Sequence, residues 1–414
     1  MNRESLLSRL HAHRPTTPLP REFYIGAEEY RTDLETIWYR DWLFVGHDCE
    51  IPRAGDYLTV QIGEYPVGVL RDRDNDIKAF HNSCRHRGSR ICQEAHGHAS
   101  RLVCPYHQWG YRLDGSLAAA RDMGEEFDRS QYGLKPVHCK SMAGYIWVCM
   151  ANVAPDFEAF AAQAAPYLRP HNLQDAKVAF ESTIIEHANW KLVWENNREC
   201  YHCPVNHPSL SRTFPADPSV AIRKVVSEDA EVEEWTRWES IGLPSRFNLA
   251  ESGQSRLVRM SLLEGAVCYT MDGKPAVRRP LSDSVATPNP GALLMFHYPT
   301  TWNHVMLDHA ISFRLLPLSS TETQLTTKWL VHKDAQEGVD YDLKRLTEVW
   351  TATNSEDRRV CQENQWGVTS PAYAPAPYSP VHEPGVMQFV EWYRNSLIER
   401  LSEASGSRSR VAIR

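Results

Sequence analysis

Residues 189–208 read NWKLVWENNRECYHCPVNHP, and the rest of the chain is organised around this stretch. Its first half has helical spacing, and Glu199 and His202 are three residues apart, so a helix would place both on one face. Pro204 is expected to end or bend that helix, which would bring His207 back beside His202. Two imidazoles from one segment and one distant carboxylate form the facial triad of non-haem Fe(II) sites. Such a histidine pair also occurs as ordinary polar residues near a helix end, so it needs support from elsewhere.

The missing carboxylate is expected on a long helix predicted over residues 339–367, VDYDLKRLTEVWTATNSEDRRVCQENQWG. A stripe at spacings of three and four follows this helix: Leu346, Trp350, Thr353, Asp357, Val360 or Cys361, and Asn364. Asp357 therefore lies on the face that should be buried, where a carboxylate is costly unless it is paired or binds a metal. The alternatives are a salt bridge from Asp357 to a neighbouring arginine, and Glu356 as the ligand, about 100° around the helix.

A second ligand set lies upstream, in residues 84–115, CRHRGSRICQEAHGHASRLVCPYHQWGYRLDG. Cys84 and His86 form a Cys-x-His pair, and Cys104 and His107 form a Cys-x2-His pair. Two thiolates on one iron and two imidazoles on the other are the ligands of a Rieske [2Fe–2S] cluster. A structural zinc site is the alternative, but the Cys-x-His spacing differs from that of common zinc fingers. The sequence therefore predicts a [2Fe–2S] cluster held between two hairpin loops.

Composition restricts the class of protein. The chain has 414 residues, of which 42% are hydrophobic and 23% charged, as expected for a globular protein of two or more domains. Its net charge of −7 disfavours nucleic acid and anionic membranes as partners, and its longest apolar run, near residues 142–154, is too short to span a bilayer. The first residues lack the apolar core of a secretory signal, which favours the cytoplasm and reduced cysteines. Cys200 and Cys203 form a CxxC without a second such pair, and we interpret them as inert thiols rather than a zinc or redox site.

The pattern along the chain predicts an α+β protein in four segments. Residues 1–42 are an aromatic-rich segment expected to pack on the catalytic domain. Residues 43–150 alternate in β fashion between turn residues and form the predicted all-β Rieske domain. Residues 151–402 contain the predicted antiparallel strands and the long helix, and form the mononuclear iron domain. Residues 403–414 are polar, and we expect them to be disordered.

Over nearly its whole length the chain resembles the α subunits of Rieske non-haem iron oxygenases. The family pattern NWKxxxENxxECYHxxxxH is matched by Asn189, Trp190, Lys191, Glu195, Asn196, Glu199, Tyr201, His202 and His207. The resemblance implies a Rieske domain ahead of a helix-grip (START/Bet v1-like) catalytic domain, in which a curved antiparallel sheet wraps a long helix. It supports Asp357 as the third iron ligand. It also implies a head-to-tail homotrimer in which Glu199 connects His202 to a Rieske histidine of the neighbouring subunit.

Glutamate at position 199, where many ring-hydroxylating members have aspartate, resembles the branch that acts on quaternary ammonium compounds. The likeness is closest to oxygenases that demethylate glycine betaine or proline betaine (stachydrine). It implies a monooxygenase that uses O2 and electrons from an NAD(P)H-dependent flavin/ferredoxin-type reductase to release an N-methyl group as formaldehyde. Oxidation of carnitine or choline and aromatic ring dihydroxylation are the alternatives. A quaternary nitrogen requires an aromatic box, for which Tyr298 and Trp302 are the candidates.

Two other classes of protein are compatible with parts of the sequence. A Rieske electron carrier would use only the first ligand set, and its second domain would bind a partner. A zinc-stabilised interaction protein would use neither set for redox chemistry. The combination of His202, His207 and Asp357 disfavours the carrier, and the Cys-x-His spacing disfavours zinc.

Overall fold

The computed structural model describes residues 3–215 and 227–409, and it contains two compact units. One unit spans residues 39–178, and the other combines residues 1–38 with residues 179–414, as far as these are described. The chain begins with three short helices: α1 (Arg3–Ala12), α2 (Glu22–Ile25) and α3 (Ala27–Asp33). No helix in the described part of the chain has the length and apolar character that a membrane span requires.

The unit of residues 39–178 consists mainly of β-strands, as predicted for the Rieske domain. The strands are β1 (Leu43–His47), β2 (Asp56–Ile62), β3 (Tyr65–Arg71), β4 (Ile77–His81), β5 (His96–His98), β6 (Leu102–Val103), β7 (Gly110–Tyr111), β8 (Leu117–Ala119), β9 (Pro136–Met142) and β10 (Tyr145–Cys149). Seven form an antiparallel sheet in the order β1-β10-β9-β4-β3-β2-β5, and β6-β7-β8 form a small second sheet. Buried residues that include Phe80, Trp109 and Tyr111 form one hydrophobic cluster together with Cys84 and Cys104.

The boundary between the units lies later in the chain than the predicted position near residue 151. The next helix, α4 (Phe157–Leu168), still belongs to the unit of β1–β10. The ring of Phe160 lies 5.0 Å from that of Trp147, and the ring of Phe157 lies 4.9 Å from that of Trp42. The Ala-rich composition of α4 did not reveal these aromatic contacts, which hold it on the first unit.

The other unit, which contains the sequence of the predicted mononuclear iron domain and is called the catalytic unit below, is built on a second seven-stranded sheet. Its strands are β11 (Ala176–Glu186), β12 (Asn248–Leu249), β13 (Ser255–Met260), β14 (Ala292–His297), β15 (Thr301–Val305), β16 (His309–Ser319) and β17 (Glu322–His332), and its helices are α5 (Trp190–Asn197), α6 (Cys203–Asn206), α7 (Glu228–Ser240), α8 (Leu343–Thr369) and α9 (Pro384–Ser409). The strand order is β11-β17-β16-β15-β14-β13-β12, with antiparallel pairing from β17 to β12. The curved antiparallel sheet and the long helix confirm the predicted fold class.

Helix α8 lies against this sheet and carries the predicted stripe. The ring of Trp350 is 4.9 Å from that of Phe313 on β16, and Asn354 donates a hydrogen bond to Thr327 on β17. The carboxylate of Asp342 caps the N-terminus of the helix, and Pro371 follows its last turn. These contacts fix which face of α8 is turned towards the sheet, and therefore where its polar residues point.

Several elements were not predicted, among them α7, β12, β13, β15 and α9. Residues 208–290, which contain β13, were interpreted as irregular insertions, and no strand was predicted over β15, although both strands pair within the antiparallel sheet. Helix α9 extends to Ser409, past residue 403 where the polar tail was expected to begin, and residues 410–414 lie outside the described residues. The helix is anchored by tertiary contacts that a sequence pattern does not show, among them the hydrogen bond from Tyr393 to Asp33 at 2.7 Å.

A buried ion pair ties the N-terminal segment to the catalytic unit. Lys191 Nζ lies 2.5 Å from Asp33 Oδ2, and the two side chains are 0% and 1% exposed. Asp33 also accepts hydrogen bonds from Trp190 Nε1 at 3.0 Å and from the Tyr393 hydroxyl. Burial lowers the pKa of Lys191, and the Asp33 carboxylate opposes that effect. The NWK run at the start of the 189–208 stretch therefore has a structural role in addition to its place in the family pattern.

We expect Lys191→Met to destabilise the protein by about 3–5 kcal/mol, because it leaves the Asp33 carboxylate buried without its counter-charge. Urea unfolding followed by tryptophan fluorescence measures this loss. The matched control is Lys140→Met, which removes an exposed ion pair with Glu158 and should cost no more than about 1 kcal/mol. Equal losses in the two variants would contradict a structural role for the buried pair.

Candidate functional site

Three predicted ligands converge on one point. His202 Nε2 lies 3.0 Å from His207 Nε2 and 3.3 Å from Asp357 Oδ1, and His207 Nε2 lies 2.9 Å from the same carboxylate oxygen. Two ligands at right angles around a metal, with bonds of about 2.1 Å, are about 3 Å apart. The donor set and its spacing therefore fit a facial 2-His-1-carboxylate site for a mononuclear iron.

The local backbone that positions the two histidines differs from the prediction. Helix α5 ends at Asn197, and His202 follows in a loop rather than on the same helix as Glu199. The Glu199 carboxylate accepts hydrogen bonds from the backbone N–H groups of Tyr201 and His202. These bonds take the place of the backbone hydrogen bonds that a continuous helix would form here. Helix α6 then begins with Pro204 in its first turn, and His207 caps its end. Glu199 and His202 thus meet through a turn and not through helical periodicity.

A carboxylate orients each imidazole from behind. His202 Nδ1 donates to Glu199 Oε1 at 2.5 Å, and His207 Nδ1 donates to Glu356 Oε2 at 2.8 Å. With each Nδ1 held in this way, both Nε2 atoms face Asp357, which is the arrangement of metal-bound histidines with carboxylate partners. Glu356, the alternative iron ligand in the sequence, instead supports His207. The contact between Glu356 and His207 was not predicted, and its only indication in the sequence was the position of Glu356 beside Asp357.

The electrostatics of the site favour a cation. Burial lowers the pKa of His202, but the carboxylates of Asp357 and Glu199 raise it to about 9. Burial likewise lowers the pKa of His207, and Asp357 and Glu356 more than offset this effect. Three carboxylates around two imidazoles therefore create a negative field at the point where the ligand atoms meet.

A cavity of about 410 Å³ is lined by the triad residues and by side chains of the sheet and of α8. Its aromatic lining consists of Tyr201, Phe214, Phe296, Trp302, His304, Trp350 and His382. The indole N–H groups of Trp302 and Trp350 are buried and have no hydrogen-bond partner among the described residues. Trp302 therefore lies where an aromatic box was expected, and its contact with substrate stays a prediction.

The other candidate for the box, Tyr298, does not line this cavity. Its side chain is buried, its hydroxyl donates to Gln388 Oε1 at 3.0 Å, and its ring packs 4.7 Å from Trp392. Tyr298 follows the end of β14, and its ring packs against Phe389 and Trp392 of α9 and against Phe296 of the cavity wall. The structure therefore does not place Tyr298 in the cavity with Trp302, because its position depends on the end of β14 and on α9, which was not predicted.

The predicted cluster ligands lie on two loops with the same backbone hydrogen bonds. In the first loop the N–H of Cys84 bonds to the carbonyl of Ser89, and that of Gly88 bonds to Cys84. In the second loop the N–H of Cys104 bonds to the carbonyl of Trp109, and that of Gln108 bonds to Cys104. Gly88 and Gln108 both have positive φ, at 80° and 60°, a conformation that glycine adopts without strain.

The side chains of these loops fit a Rieske cluster. Cys84 and Cys104 are buried, whereas His86 is exposed and His107 is partly exposed, so the two kinds of ligand occupy an inner and an outer position. The imidazoles are adjacent, with ring centroids 4.7 Å apart. The Tyr111 hydroxyl lies 3.3 Å from Cys84 Sγ, and hydrogen bonds to cluster sulfurs are one determinant of reduction potential.

We expect Cys84→Ser to abolish the visible absorption of the cluster and to lower the iron content from about three to about one per chain. The remaining iron should stay because the triad residues belong to the other unit. Absorption spectra and elemental analysis of the purified protein measure both quantities. Cys139→Ser, at a free and partly exposed cysteine of the same unit, is the control. A coloured Cys84→Ser variant with a full complement of iron would refute the ligand assignment.

The CxxC of the 189–208 stretch was interpreted as two inert thiols, and the structure shows otherwise. Cys200 and Cys203 form a disulfide, with Cα atoms 4.9 Å apart. The turn between Glu199 and α6 brings them together, and this turn was hidden by the predicted continuous helix. The other eight cysteines are free.

Two protein-family models match the chain. The Rieske [2Fe-2S] domain matches residues 41–137, and the catalytic domain of the ring hydroxylating alpha subunit matches residues 171–399. The two domains imply a Rieske cluster and a mononuclear iron, and the residues described above have the donors to hold both.

Similar proteins cover almost the whole chain. A glycine betaine monooxygenase oxygenase subunit of Pseudomonas aeruginosa (strain UCBPP-PA14) is 45% identical over 405 residues, which is 95% of this chain and 92% of the relative. The subunit of the same description from Chromohalobacter salexigens is 46% identical over 398 residues, which is 94% of this chain and 88% of the relative.

Solved structures share the fold. The quaternary ammonium Rieske monooxygenase CntA in complex with L-carnitine has a TM-score of 0.71 at 22% identity, over 92% of this chain and 96% of that one. Naphthalene 1,2-dioxygenase from Rhodococcus sp. has a TM-score of 0.72 at 19% identity, over 96% of this chain and 98% of that one. With the two family models and the relatives that match along its length, the chain belongs to the Rieske non-haem iron oxygenases, in the family described as the ring hydroxylating alpha subunit.

Proposed function

We propose that this chain is the oxygenase component of a monooxygenase that removes one N-methyl group from glycine betaine. The observation that carries the proposal is the cavity in which aromatic side chains and the three triad residues line the same space. The identity of 45% to a glycine betaine monooxygenase oxygenase subunit over 95% of the chain supports the choice of substrate.

The chemistry assigns distinct tasks to the residues. One oxygen atom of O2 is inserted into a methyl C–H bond, and the other leaves as water after uptake of two electrons and two protons. The resulting carbinolamine then breaks its C–N bond to give formaldehyde and dimethylglycine. When bound, the metals supply the one-electron and O2 chemistry, while the protein supplies position and exclusion of solvent. Trp302 and Trp350 replace water around the quaternary nitrogen through cation–π contacts.

We further propose the assembly and partners in which this chemistry takes place. Electrons come from an NAD(P)H-dependent reductase of the flavin/ferredoxin type in the cytoplasm. The subunits form a head-to-tail homotrimer, a ring closed by one heterologous interface. Glu199, bonded to His202 and only partly buried, is the residue we assign to the connection with a Rieske histidine of the next subunit.

A formaldehyde-release screen tests the proposed function. The purified protein, with both metal sites loaded, is mixed with a ferredoxin-type reductase, NADH and one candidate substrate at a time: glycine betaine, proline betaine, carnitine, choline or naphthalene. We expect the highest kcat/KM with glycine betaine, and dimethylglycine in equal amount to formaldehyde. Diol formation from naphthalene without formaldehyde from any amine would contradict the proposal.

A further inference from the structure

Two arginines in the cavity wall share one aromatic ring. Arg198 follows α5, and Arg256 lies on β13 directly opposite Phe296 of β14. The guanidinium carbon of Arg198 lies 4.1 Å from the centroid of the Phe296 ring, and that of Arg256 lies 5.1 Å from it. All three side chains line the cavity that contains the triad.

Neither guanidinium has a carboxylate partner among the described residues. The Nε atoms of Arg198 and Arg256 are buried and lack a hydrogen-bond partner within the described ranges. Burial and the charge of Arg198 lower the pKa of Arg256 to about 9. By contrast, two other arginines of this unit have carboxylate partners, Arg345 with Asp272 at 2.7 Å and Arg246 with Glu239 at 3.2 Å.

Two adjacent cations in a partly dehydrated cavity repel each other, and each has lost part of its hydration. An anion between the two guanidiniums offsets both their mutual repulsion and their lost hydration. The planar fork of a guanidinium matches a carboxylate and can form two parallel hydrogen bonds with it. The pair therefore has the chemistry of a carboxylate site, in the same cavity as the iron ligands.

The sheet places this pair next to the aromatic lining. Arg256, Phe296, Trp302 and Phe313 are successive cross-strand partners on β13, β14, β15 and β16. Neighbouring strands are about 4.8 Å apart, so one row presents cationic and aromatic side chains within the length of a small zwitterion. A carboxylate near the arginines leaves the quaternary nitrogen one strand further along the row, beside the ring of Trp302.

We propose that Arg198 and Arg256 bind the carboxylate of the substrate and thereby select short zwitterionic betaines over cations that lack a carboxylate. This inference rests on the proposed function, because it assigns the substrate class of the same cavity. Choline has the same quaternary nitrogen but a neutral hydroxyl, so it leaves both guanidiniums uncompensated. Charges left unpaired in a partly dehydrated site discriminate between ligands of similar size.

Binding measurements on the metal-loaded protein test the arginine pair. Isothermal titration calorimetry gives the Kd of glycine betaine, choline and acetate for the wild type, Arg198→Gln, Arg256→Gln and Arg256→Lys. We expect each glutamine variant to weaken glycine betaine on the order of 10- to 100-fold, as for the loss of a charge-assisted hydrogen bond, and Arg256→Lys to recover part of that loss. Choline affinity should change little, which also shows that the variants are folded. Arg246→Gln, at an exposed paired arginine, should leave every Kd unchanged.

The outcomes separate this inference from the proposed function. Two results would overturn the arginine assignment but leave the proposed demethylase function in place. One is an equal loss of affinity for glycine betaine and choline in the glutamine variants. The other is a wild type that binds choline as tightly as glycine betaine. A wild type that releases no formaldehyde from glycine betaine, yet binds acetate in a manner lost in Arg256→Gln, would overturn the function and leave the carboxylate site in place.

Discussion

Asp357→Ala is expected to lose the mononuclear iron and to reduce turnover by more than about a hundredfold, since even the residues behind metal ligands contribute 10- to 100-fold. Asp357 Oδ1 is the atom that approaches both Nε2 atoms of the histidine pair, so its removal leaves two neutral ligands and no charge. Elemental analysis should show about one iron fewer per chain, with the cluster absorption unchanged, because the cluster ligands lie in the other unit.

Two neighbours on α8 serve as controls for this prediction. Glu356→Ala should retain iron with weaker affinity, because Glu356 orients His207 without facing the metal position. Glu363→Ala, at an exposed position on the same helix, should behave as the wild type. If Glu356→Ala loses the iron and Asp357→Ala keeps it, the assignment of ligand and support is reversed.

Glu199→Ala is expected to keep both metal sites and lose nearly all turnover. The carboxylate accepts the Nδ1–H of His202 and the N–H groups of Tyr201 and His202, so it sets the orientation of one iron ligand. If it also reaches a Rieske histidine of the next subunit, its loss interrupts electron transfer. In single-turnover mixing with substrate and O2, the reduced cluster of this variant should then fail to reoxidise. Glu199→Gln, which preserves part of the geometry without the charge, should show an intermediate rate.

The control for Glu199 is Glu391→Ala, at an exposed glutamate of the same unit. It should reoxidise its cluster at the wild-type rate. Normal reoxidation in Glu199→Ala, together with full iron content, would show that electrons follow another path and that Glu199 only shapes the loop.

Sequence patterns indicated the candidate metal ligands because those residues are tied to short spacings or to helical periodicity. Asp357 was found from the stripe on α8, since Leu346, Trp350 and Thr353 bury the same face of one regular helix. Cys84 and Cys104 were found from spacings that few other sites share. In both cases the decisive information lies within one segment, so no tertiary contact had to be known.

The wall of the cavity could not be predicted in the same way, because it depends on which strands become neighbours. Arg256 and Trp302 are 46 positions apart in sequence, and only the order of β13, β14 and β15 brings them into one row. Tyr298 was chosen for its residue type alone, and its actual position depends on α9. The alternation in SRLVRM, residues 255–260, was the one local signal that could have revealed β13.

Reaction chemistry and molecular recognition are carried by different elements of the catalytic unit. The ligand residues His202, His207 and Asp357 come from the loop around α6 and from α8, whereas the row from Arg256 to Phe313 comes from four strands, with one residue from each. A point mutation in that row alters the shape or charge of the wall without touching the iron ligands. Such a division makes the scaffold evolvable: lineages can acquire new substrates by single substitutions while the oxidising machinery is inherited intact.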